Sequence, residues 1–204
     1  MKINEIFYSI QGESTFAGLP CVFIRVAGCN LRCSYCDTSY TNGSELSIKA
    51  ILQRVKKYNC KLVEITGGEP LLQPETAELA QQLISDVYRV LVETNGTYDI
   101  SVLHPLVIRI MDIKCPGSGE SDKMDWDNIN RLRPRDQVKF VISNRWDFDW
   151  AISKLKKHKL IDKTNILFSP VFGLLNPGEL AQWILDTKLP VRLQIQLQKY
   201  ISCK

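Results

Sequence analysis

The sequence has no long hydrophobic run, no strong excess of one charge and almost no histidine. Its longest unbroken apolar stretch is the four residues from Cys21 to Ile24, far below the 18 or so that a membrane-spanning helix needs. A net charge of +4 is too small to indicate a nucleic-acid surface, although it suits an anionic small molecule. Only His104 and His158 are present, and neither lies at the carboxyl end of a predicted strand, so histidine general-base catalysis is not expected. We therefore expect neither a membrane partner nor a nucleic-acid partner.

Several motifs and signals are also missing. The sequence contains no G-x-G-x-x-G fingerprint, no phosphate-binding loop, no H-E-x-x-H motif, no internal repeat and no low-complexity segment. The start, Met1 to Glu5, has an acidic residue where a secretory signal has its apolar run, so we expect a cytoplasmic protein. With 204 residues, 45% of them hydrophobic and 24% charged, we expect one globular domain over residues 1–204.

Cysteine, in contrast, is abundant, with seven copies. An odd number in a cytoplasmic chain argues against a full set of disulfides and favours metal or redox use. Cys29, Cys33 and Cys36 have the spacing C-x3-C-x2-C. Electron-transfer clusters usually take four cysteines, and structural zinc takes four Cys or His ligands, so three thiolates would leave one iron open for a substrate or cofactor. The alternative is a non-catalytic iron-sulfur or zinc protein whose fourth ligand is Cys21, Cys60, Cys115, His104 or His158.

Short runs rich in Val, Ile and Phe predict seven buried strands with helical segments between several of them. The predicted strands are 22–26, 62–66, 90–93, 106–113, 138–142, 166–168 and 191–195, and the predicted helices are 48–55, 74–86, 126–132, 147–158 and 177–187. This alternation indicates right-handed βαβ units. Because the chain is shorter than the roughly 250 residues of an eight-stranded barrel, we expect an α/β fold that is an incomplete, partial TIM-type barrel of βα units with a parallel sheet of six or seven strands.

Polar residues follow almost every predicted strand. In a parallel sheet the carboxyl ends of the strands meet at one rim, which is where such folds place their sites. The polar clusters are Ala27-Gly28-Cys29, Gly67-Gly68-Glu69-Pro70, Thr94-Asn95-Gly96, Asp112 with Lys114, Ser143-Asn144 and Ser169-Pro170. We therefore expect one large site at this rim.

The cysteine motif resembles the signature loop of the radical S-adenosylmethionine (SAM) enzymes, in which an aromatic residue precedes the last cysteine, as Tyr35 does here. Gly67-Gly68-Glu69-Pro70 is similar to the GGEP motif of that family, although alone it could be an ordinary turn. The resemblance implies that Cys29, Cys33 and Cys36 hold a 4Fe-4S cluster on a loop over residues 27–38, with SAM on the fourth iron. It assigns SAM contacts to Gly67, Gly68, Glu69, Gly96, Asp112, Ile113 and Lys114.

Two more segments narrow the resemblance to the 7-carboxy-7-deazaguanine synthases. Phe7 to Ser14 resembles their F-x-S-I-Q-G-E-G arm, with Ser14 in place of the usual Gly, and Cys36-Asp37-Thr38 resembles their C-D-T motif. The resemblance implies radical ring contraction of 6-carboxy-5,6,7,8-tetrahydropterin to 7-carboxy-7-deazaguanine with loss of ammonia, a carbon-nitrogen lyase type of reaction in queuosine and deazapurine biosynthesis. It implies Mg²⁺ on Thr38 and a short N-terminal arm, residues 1–20, for the pterin. Its substrate contacts are Ile10, Gln11, Gly12, Glu13, Arg25 and Thr94.

The chemistry of Arg25 also makes it a candidate for binding the substrate carboxylate. It is polar inside an otherwise apolar strand, and a guanidinium binds carboxylates bidentately; the alternative is a structural ion pair with a glutamate. Weaker candidates are Glu93, Asn95, Cys115, Lys139 and Ser169-Pro170.

Near the C-terminus, Gln196 to Lys199 is similar to the Q-L-H-K segment of the family, but Gln198 places a neutral amide where a titratable histidine is common.

The resemblance further implies a homodimer, which an incomplete sheet with an uncovered edge also favours, and an electron donor such as flavodoxin or ferredoxin. The nearest alternative is an activase of a glycyl-radical enzyme. Such activases share the cysteine loop and a similar length, but that interpretation gives the segment Gln11 to Glu13 no role.

Overall fold

The computed structural model describes residues 1–203, which form a nine-stranded, mostly parallel sheet. The strands are β1 (Lys2–Ile10), β2 (Pro20–Val26), β3 (Ser44–Glu45), β4 (Leu62–Gly67), β5 (Arg89–Thr94), β6 (Ile108–Asp112), β7 (Gln137–Ile142), β8 (Asn165–Pro170) and β9 (Arg192–Leu193). Their order is β3-β1-β2-β4-β5-β6-β7-β8-β9. The seven strands from β2 to β9 along this order are parallel, while β1 and β3 pair antiparallel at one edge. The partial barrel with its seven parallel strands is confirmed.

Helices follow most of the parallel strands. They are α1 (Ile48–Lys56), α2 (Glu75–Ser85), α3 (Asn128–Arg131), α4 (Arg145–His158), α5 (Pro177–Thr187) and α6 (Leu197–Tyr200). Polar side chains cap the first turns of two of them: the Ser47 hydroxyl accepts from the Ala50 N–H at α1, and the Asn144 side-chain carbonyl accepts from the Asp147 N–H at α4. Within residues 1–203, no helix is long and apolar enough to cross a membrane.

Strand alternation separates the hydrophobic core from the site. On β2, Val22, Ile24 and Val26 point toward the helices and are fully buried, and each such side chain contributes roughly 1.5–3 kcal/mol. The intervening Phe23 and Arg25 point to the concave face of the sheet, because successive side chains on a strand alternate. The same alternation on the other strands lines the inside of the partial barrel, where polar residues are concentrated toward the carboxyl ends.

Residues 1–20, the predicted substrate-binding arm, contain a strand and a loop, and their role in binding substrate stays a prediction. Residues 2–10 are β1, a full strand of the sheet, and only the segment that follows forms a loop, closed by bonds from Gln11 N–H to Leu19 O and from Gly18 N–H to Gln11 O. The pairing of β1 with β2 has a bulge between Ile3 and Glu5. A bulge inserts an extra residue and breaks the strict alternation by which strands are recognised in a sequence.

Candidate active site

A cavity of about 700 Å³ opens at the carboxyl ends of the parallel strands. Most of the predicted site residues line it: Ile10, Gln11, Gly12, Glu13, Arg25, Cys29, Cys33, Cys36, Thr38, Gly67, Gly68, Thr94, Asp112 and Lys114. Of the weaker candidates, Glu93, Asn95 and Lys139 line it as well. Three predicted SAM contacts, Glu69, Gly96 and Ile113, are not among the residues that line it.

The cysteine loop is attached to a distant turn, the 3₁₀ turn Pro116–Ser118. Ser34 donates its N–H to Ser118 O (3.0 Å) and its hydroxyl to Gly117 O (2.7 Å). The turn itself is held by the buried Asp147 carboxylate, which accepts from Gly117 N–H (2.7 Å). Because Ser34 lies between Cys33 and Cys36, these bonds fix the middle of the motif although their partners are more than 80 positions away.

The three thiols of the cysteine motif are the donor set for a metal centre. Cys29, Cys33 and Cys36 are free, partly exposed and on one cavity wall. Burial raises the pKa of Cys29 and of Cys33, and the neighbouring thiols raise both further. Among residues 1–203, no three His, Cys, Asp or Glu side chains converge on a point that would hold one ion, as a zinc site requires. In a 4Fe-4S cluster each thiolate binds a different iron, so three thiols on one cavity wall are a donor set that would hold such a cluster and leave its fourth iron without a cysteine.

The Gly67-Gly68 turn at the end of β4 lies directly against the start of the cysteine loop. Gly67 has φ +130°, and a Cβ on Gly68 would lie 1.9 Å from Gly28 O. The Glu69 N–H donates to the same Gly28 oxygen (2.9 Å). Glycine is therefore required at position 68 for this close approach of two backbone segments.

Glu69 is fully buried and joins the ends of β4 and β5. Its carboxylate accepts from the Thr94 hydroxyl (2.7 Å), the Asn95 N–H (2.6 Å) and the Leu71 N–H (2.9 Å). Burial raises the pKa of Glu69 although these bonds favour the ionised form. Its bonds position Thr94, which lines the cavity. The predicted contact of Glu69 with SAM stays a prediction, as do those of Gly96 and Ile113.

Lys139 links three carboxylates across the cavity floor. Its ammonium lies 2.9 Å from Glu13 Oε2 and 3.8 Å from Asp112 Oδ2, and it also donates to Glu93 Oε1. Burial alone would lower the pKa of Lys139, but the carboxylates outweigh burial and hold this pKa well above its usual value. Burial alone would likewise raise the pKa of Glu13, yet Lys139 lowers it to about 2. Lys139 and Glu13 therefore form a tightly held ion pair, whereas burial raises the pKa of Glu93 despite the nearby ammonium.

Asp112 and Lys114 present one unused acceptor beside a cation. Lys114 Nζ donates to Asp112 Oδ2 (2.7 Å), and this carboxylate, against the cost of burial, raises the pKa of Lys114. Asp112 Oδ1 is buried and, among the described residues, has no hydrogen-bond partner. An orphaned acceptor on a cavity wall suits an N–H or O–H donor of a bound molecule, and an adjacent ammonium suits a carboxylate. This arrangement fits SAM, which carries both kinds of group.

Arg25 makes the structural ion pair that was the alternative to substrate binding. Its Nε lies 2.9 Å from Glu5 Oε1, and the two residues are paired in register across β1 and β2. The guanidinium carbon also lies 5.6 Å from the centre of the Phe7 ring. Arg25 nevertheless lines the cavity, so its predicted contact with substrate stays open.

The C-terminal segment closes one side of the cavity mouth. Leu197 N–H donates to Gly12 O (3.0 Å), and Gln196 and Gln198 both donate to Glu13 Oε1 (3.1 and 3.0 Å). Gln198 is thus a neutral donor to a carboxylate. The segment also reaches the cysteine loop, since its next residue, Lys199, pairs with an acidic residue there, Asp37.

The pairing of Asp37 with Lys199 was not expected from the sequence. Lys199 Nζ lies 2.8 Å from Asp37 Oδ2. Burial opposes ionisation of Asp37, but the Lys199 ammonium outweighs it and lowers the pKa of Asp37. Thr38, the predicted Mg²⁺ ligand, follows directly and donates its hydroxyl to Asp37 Oδ1 (3.3 Å). No local signal could have joined residues so far apart in the sequence.

This fold, with a three-cysteine loop after its first parallel strand and a GGEP turn after its second, defines a radical SAM protein. The model of the Radical SAM superfamily matches residues 23–112, which include both motifs. The structure is also similar to the crystal structure of QueE from Escherichia coli, with a TM-score of 0.77 at 22% identity, covering 96% of this chain and 93% of that one. At this identity the similarity shows the fold alone.

Two curated relatives identify the family within that class. The chain is 44% identical to the 7-carboxy-7-deazaguanine synthase of Chlorobaculum tepidum, covering 98% of this chain and 94% of the relative. It is 41% identical to the synthase of Koribacter versatilis, covering 98% and 96%. The chain belongs to the 7-carboxy-7-deazaguanine synthase family. Both of these relatives are named as synthases, and neither is named as a glycyl-radical activase or as a non-catalytic metal protein.

Proposed function

We propose that the chain converts 6-carboxy-5,6,7,8-tetrahydropterin to 7-carboxy-7-deazaguanine, with loss of ammonia, as a step of queuosine and deazapurine biosynthesis. One observation carries the proposal: the three cysteines and the segment Gln11 to Glu13 line one and the same cavity of about 700 Å³. This volume lies within the range of small-molecule sites. The near full-length identity to the curated synthases supports the same reaction.

The cavity divides into a cofactor side and a substrate side. Cys29, Cys33 and Cys36 would hold the cluster, and SAM would lie against the Gly67-Gly68 turn and the Asp112 and Lys114 pair. When bound, cluster and SAM supply the one-electron chemistry that removes a hydrogen atom from the substrate. The protein binds and orients the reactants and keeps water away from them.

The substrate side offers cations for a carboxylate and amides for a flat heterocycle. A guanidinium has five N–H donors, and the bond from Arg25 Nε to Glu5 uses one of them, which leaves others for the substrate carboxylate. Gln11, Gly12 and Thr94 line the same cavity as Arg25. These residues therefore carry the proposed contacts with the pterin.

Anaerobic turnover tests the proposal directly. The reconstituted, reduced protein is incubated with 6-carboxytetrahydropterin, SAM and Mg²⁺, and 7-carboxy-7-deazaguanine is expected as the product. A reaction without SAM is the control. Absence of the deazaguanine overturns the proposed reaction, and an electron paramagnetic resonance spectrum of the reduced cluster that is unchanged by SAM overturns the open-iron assignment.

We expect Thr38→Ala to weaken the Mg²⁺ dependence and leave the cluster intact. Mg²⁺ takes few protein ligands and completes its shell with substrate and water, so loss of one hydroxyl matters. The Mg²⁺ concentration for half-maximal activity should rise at least about tenfold, a loss typical of a disturbed metal site. Thr38→Ser, which keeps the hydroxyl, is the control, and iron content should be equal in all three proteins. An unchanged Mg²⁺ response in Thr38→Ala would remove Thr38 from the site.

We also propose that the protein is a homodimer. The sheet ends in the two-residue strands β3 and β9, and open sheet edges are commonly covered. Exposed apolar side chains lie on the loop after β8 and near the C-terminus: Phe172, Leu174, Tyr200 and Ile201. Sedimentation velocity should give about twice the 23.3 kDa of one chain; a monomer at micromolar concentration contradicts the proposal.

For electron supply we propose a protein donor such as flavodoxin or ferredoxin in the cytoplasm. Cys36 is exposed on the loop, so a docked donor can approach the cluster. Reduction of the cluster by purified flavodoxin and its reductase, followed by optical bleaching, measures this directly. A cluster that only a chemical reductant can reduce argues against such a donor.

A further inference from the structure

Six carboxylates line the cavity, and five of them have a cationic partner. The ion pairs are Glu5 with Arg25, Glu13 and Glu93 with Lys139, Asp37 with Lys199, and Asp112 with Lys114. The sixth carboxylate, Glu64, has no Lys, Arg or His nitrogen within 4.0 Å in the part of the chain from residue 1 to residue 203. Charge pairing therefore does not explain why this residue is acidic.

Glu64 lies deep on the concave face of β4. Its register neighbours are Phe23 on β2 and Leu91 on β5, and its exposed fraction is 3%. Burial, together with the nearby Glu93 and Glu13 carboxylates, raises the pKa of Glu64 well above its usual value. Burying a polar group among apolar neighbours is costly unless hydrogen bonds compensate, so its one hydrogen-bonded partner is informative.

That partner is the side-chain amide of Gln11. Gln11 Nε2 donates to Glu64 Oε2, and Gln11 Oε1 accepts from the Glu13 N–H (2.9 Å). The oxygen and nitrogen ends of an amide have nearly the same shape, so its orientation is decided by its hydrogen-bond partners. The Glu13 N–H can only donate, so it identifies the oxygen end of the amide, and the nitrogen end then donates to Glu64. Its nitrogen has a second hydrogen, and Gln11 lines the cavity.

We propose that Glu64 is a positioning residue for substrate binding: it holds the Gln11 amide so that an N–H donor, not a carbonyl, faces the substrate. The inference rests on the proposed function, which supplies a flat heterocycle whose ring carbonyl and ring nitrogens are acceptors. Without Glu64 only the bond from the Glu13 N–H holds the amide, so the amide is freer to rotate and to place its oxygen against such an acceptor. A site built to donate a hydrogen bond then loses both affinity and discrimination.

A double-mutant cycle on the reconstituted holoenzyme tests the proposal. The variants are Glu64→Leu, Gln11→Leu and the double variant, with Glu64→Gln as the conservative replacement because its amide oxygen can still accept from Gln11. For each protein we measure KM and kcat for the pterin, the pterin Kd by equilibrium dialysis, and the temperature of unfolding. Each Leu variant should raise the Kd about tenfold or more, and Glu64→Gln should stay within about threefold. In the Gln11→Leu background, Glu64→Leu should add nothing, since residues acting through one contact are not additive.

Each result of the cycle either supports or overturns the positioning role of Glu64. Additive losses in the double variant mean that Glu64 acts without Gln11 and overturn the inference. An unchanged Kd with a lower unfolding temperature assigns Glu64 to the core alone and also overturns it. Should Glu64→Leu not fold, Glu64→Met takes its place in the cycle. A wild-type chain that yields no deazaguanine overturns the proposed function and this inference together, whereas the first two outcomes leave the proposed function intact.

Discussion

Replacing Gly68 with alanine is expected to abolish cluster assembly while leaving the sheet folded. The new Cβ would lie 1.9 Å from Gly28 O, 2.5 Å from Gly28 C and 3.0 Å from Cys29 Cβ. The first two atoms are backbone atoms, so the contact cannot be relieved by rotating a side chain. Either the GGEP turn or the cysteine loop has to move by more than an ångström, and displacements of this size cost about 10²-fold in activity. Iron content per chain and turnover should both fall, and the free energy of unfolding should fall by roughly 1–3 kcal/mol, as in other overpacked variants.

Gly173→Ala is the matched control for Gly68→Ala. Gly173 has φ +77° and nothing within 4 Å of an added Cβ, so alanine there brings backbone strain of roughly 1–2 kcal/mol without moving the cysteine loop. We expect it to keep normal iron content. A Gly68→Ala protein that assembles a full cluster and turns over normally would show that the contact between the two backbone segments is not needed.

The part of the site that lies at strand ends could be predicted from the sequence, because it depends on local patterns. The apolar runs located all seven parallel strands, and the residues directly after them, such as Cys29, Gly68 and Thr94, necessarily meet at one rim. Spacing and chemistry alone then indicated a site with three thiolates. Even the expected partial barrel follows from the chain length and the number of strands.

The rest of the site depends on contacts between distant residues. Ser34 bonds to the turn held by Asp147, and Lys199 pairs with Asp37; no pattern within a short window contains either pair. Glu64 is a different case, since a charged residue inside the apolar run 62–66 was a visible signal of the same kind that drew attention to Arg25 in β2. Both are polar residues on the concave face of a strand whose other face is buried. A polar residue inside an apolar run is therefore a usable criterion for finding site residues in a sequence.

Replacing Lys139 with methionine is expected to have the largest effect on stability of any single change at the site. Lys139 is only 6% exposed and is the cation shared by Glu13, Glu93 and Asp112. Methionine leaves buried carboxylates without their counter-ion, and breaking a buried pair in this way costs about 3–5 kcal/mol. Turnover should also be lost, because Glu13 is the residue to which Gln196 and Gln198 of the C-terminal segment are bonded. Urea unfolding measures the stability, with Lys56→Met on the exposed face of α1 as the control.

The stability that Lys139→Met loses depends on pH in a definite direction. In the wild type the pKa of Glu13 is lowered to about 2, so its contribution to stability is present above the unfolded value of about 4.3 and is lost as the pH falls toward 2. In Lys139→Met, burial without a cation raises the pKa of Glu13, so the folded variant binds protons more readily than the unfolded chain and loses stability as the pH rises. The difference between wild type and variant should therefore be large near about pH 8 and clearly smaller near about pH 5. A difference that is constant over this range would show that Lys139 contributes packing and not charge compensation. Lys139→Arg separates these contributions further, since it keeps the cation and should recover most of the lost stability at the higher pH.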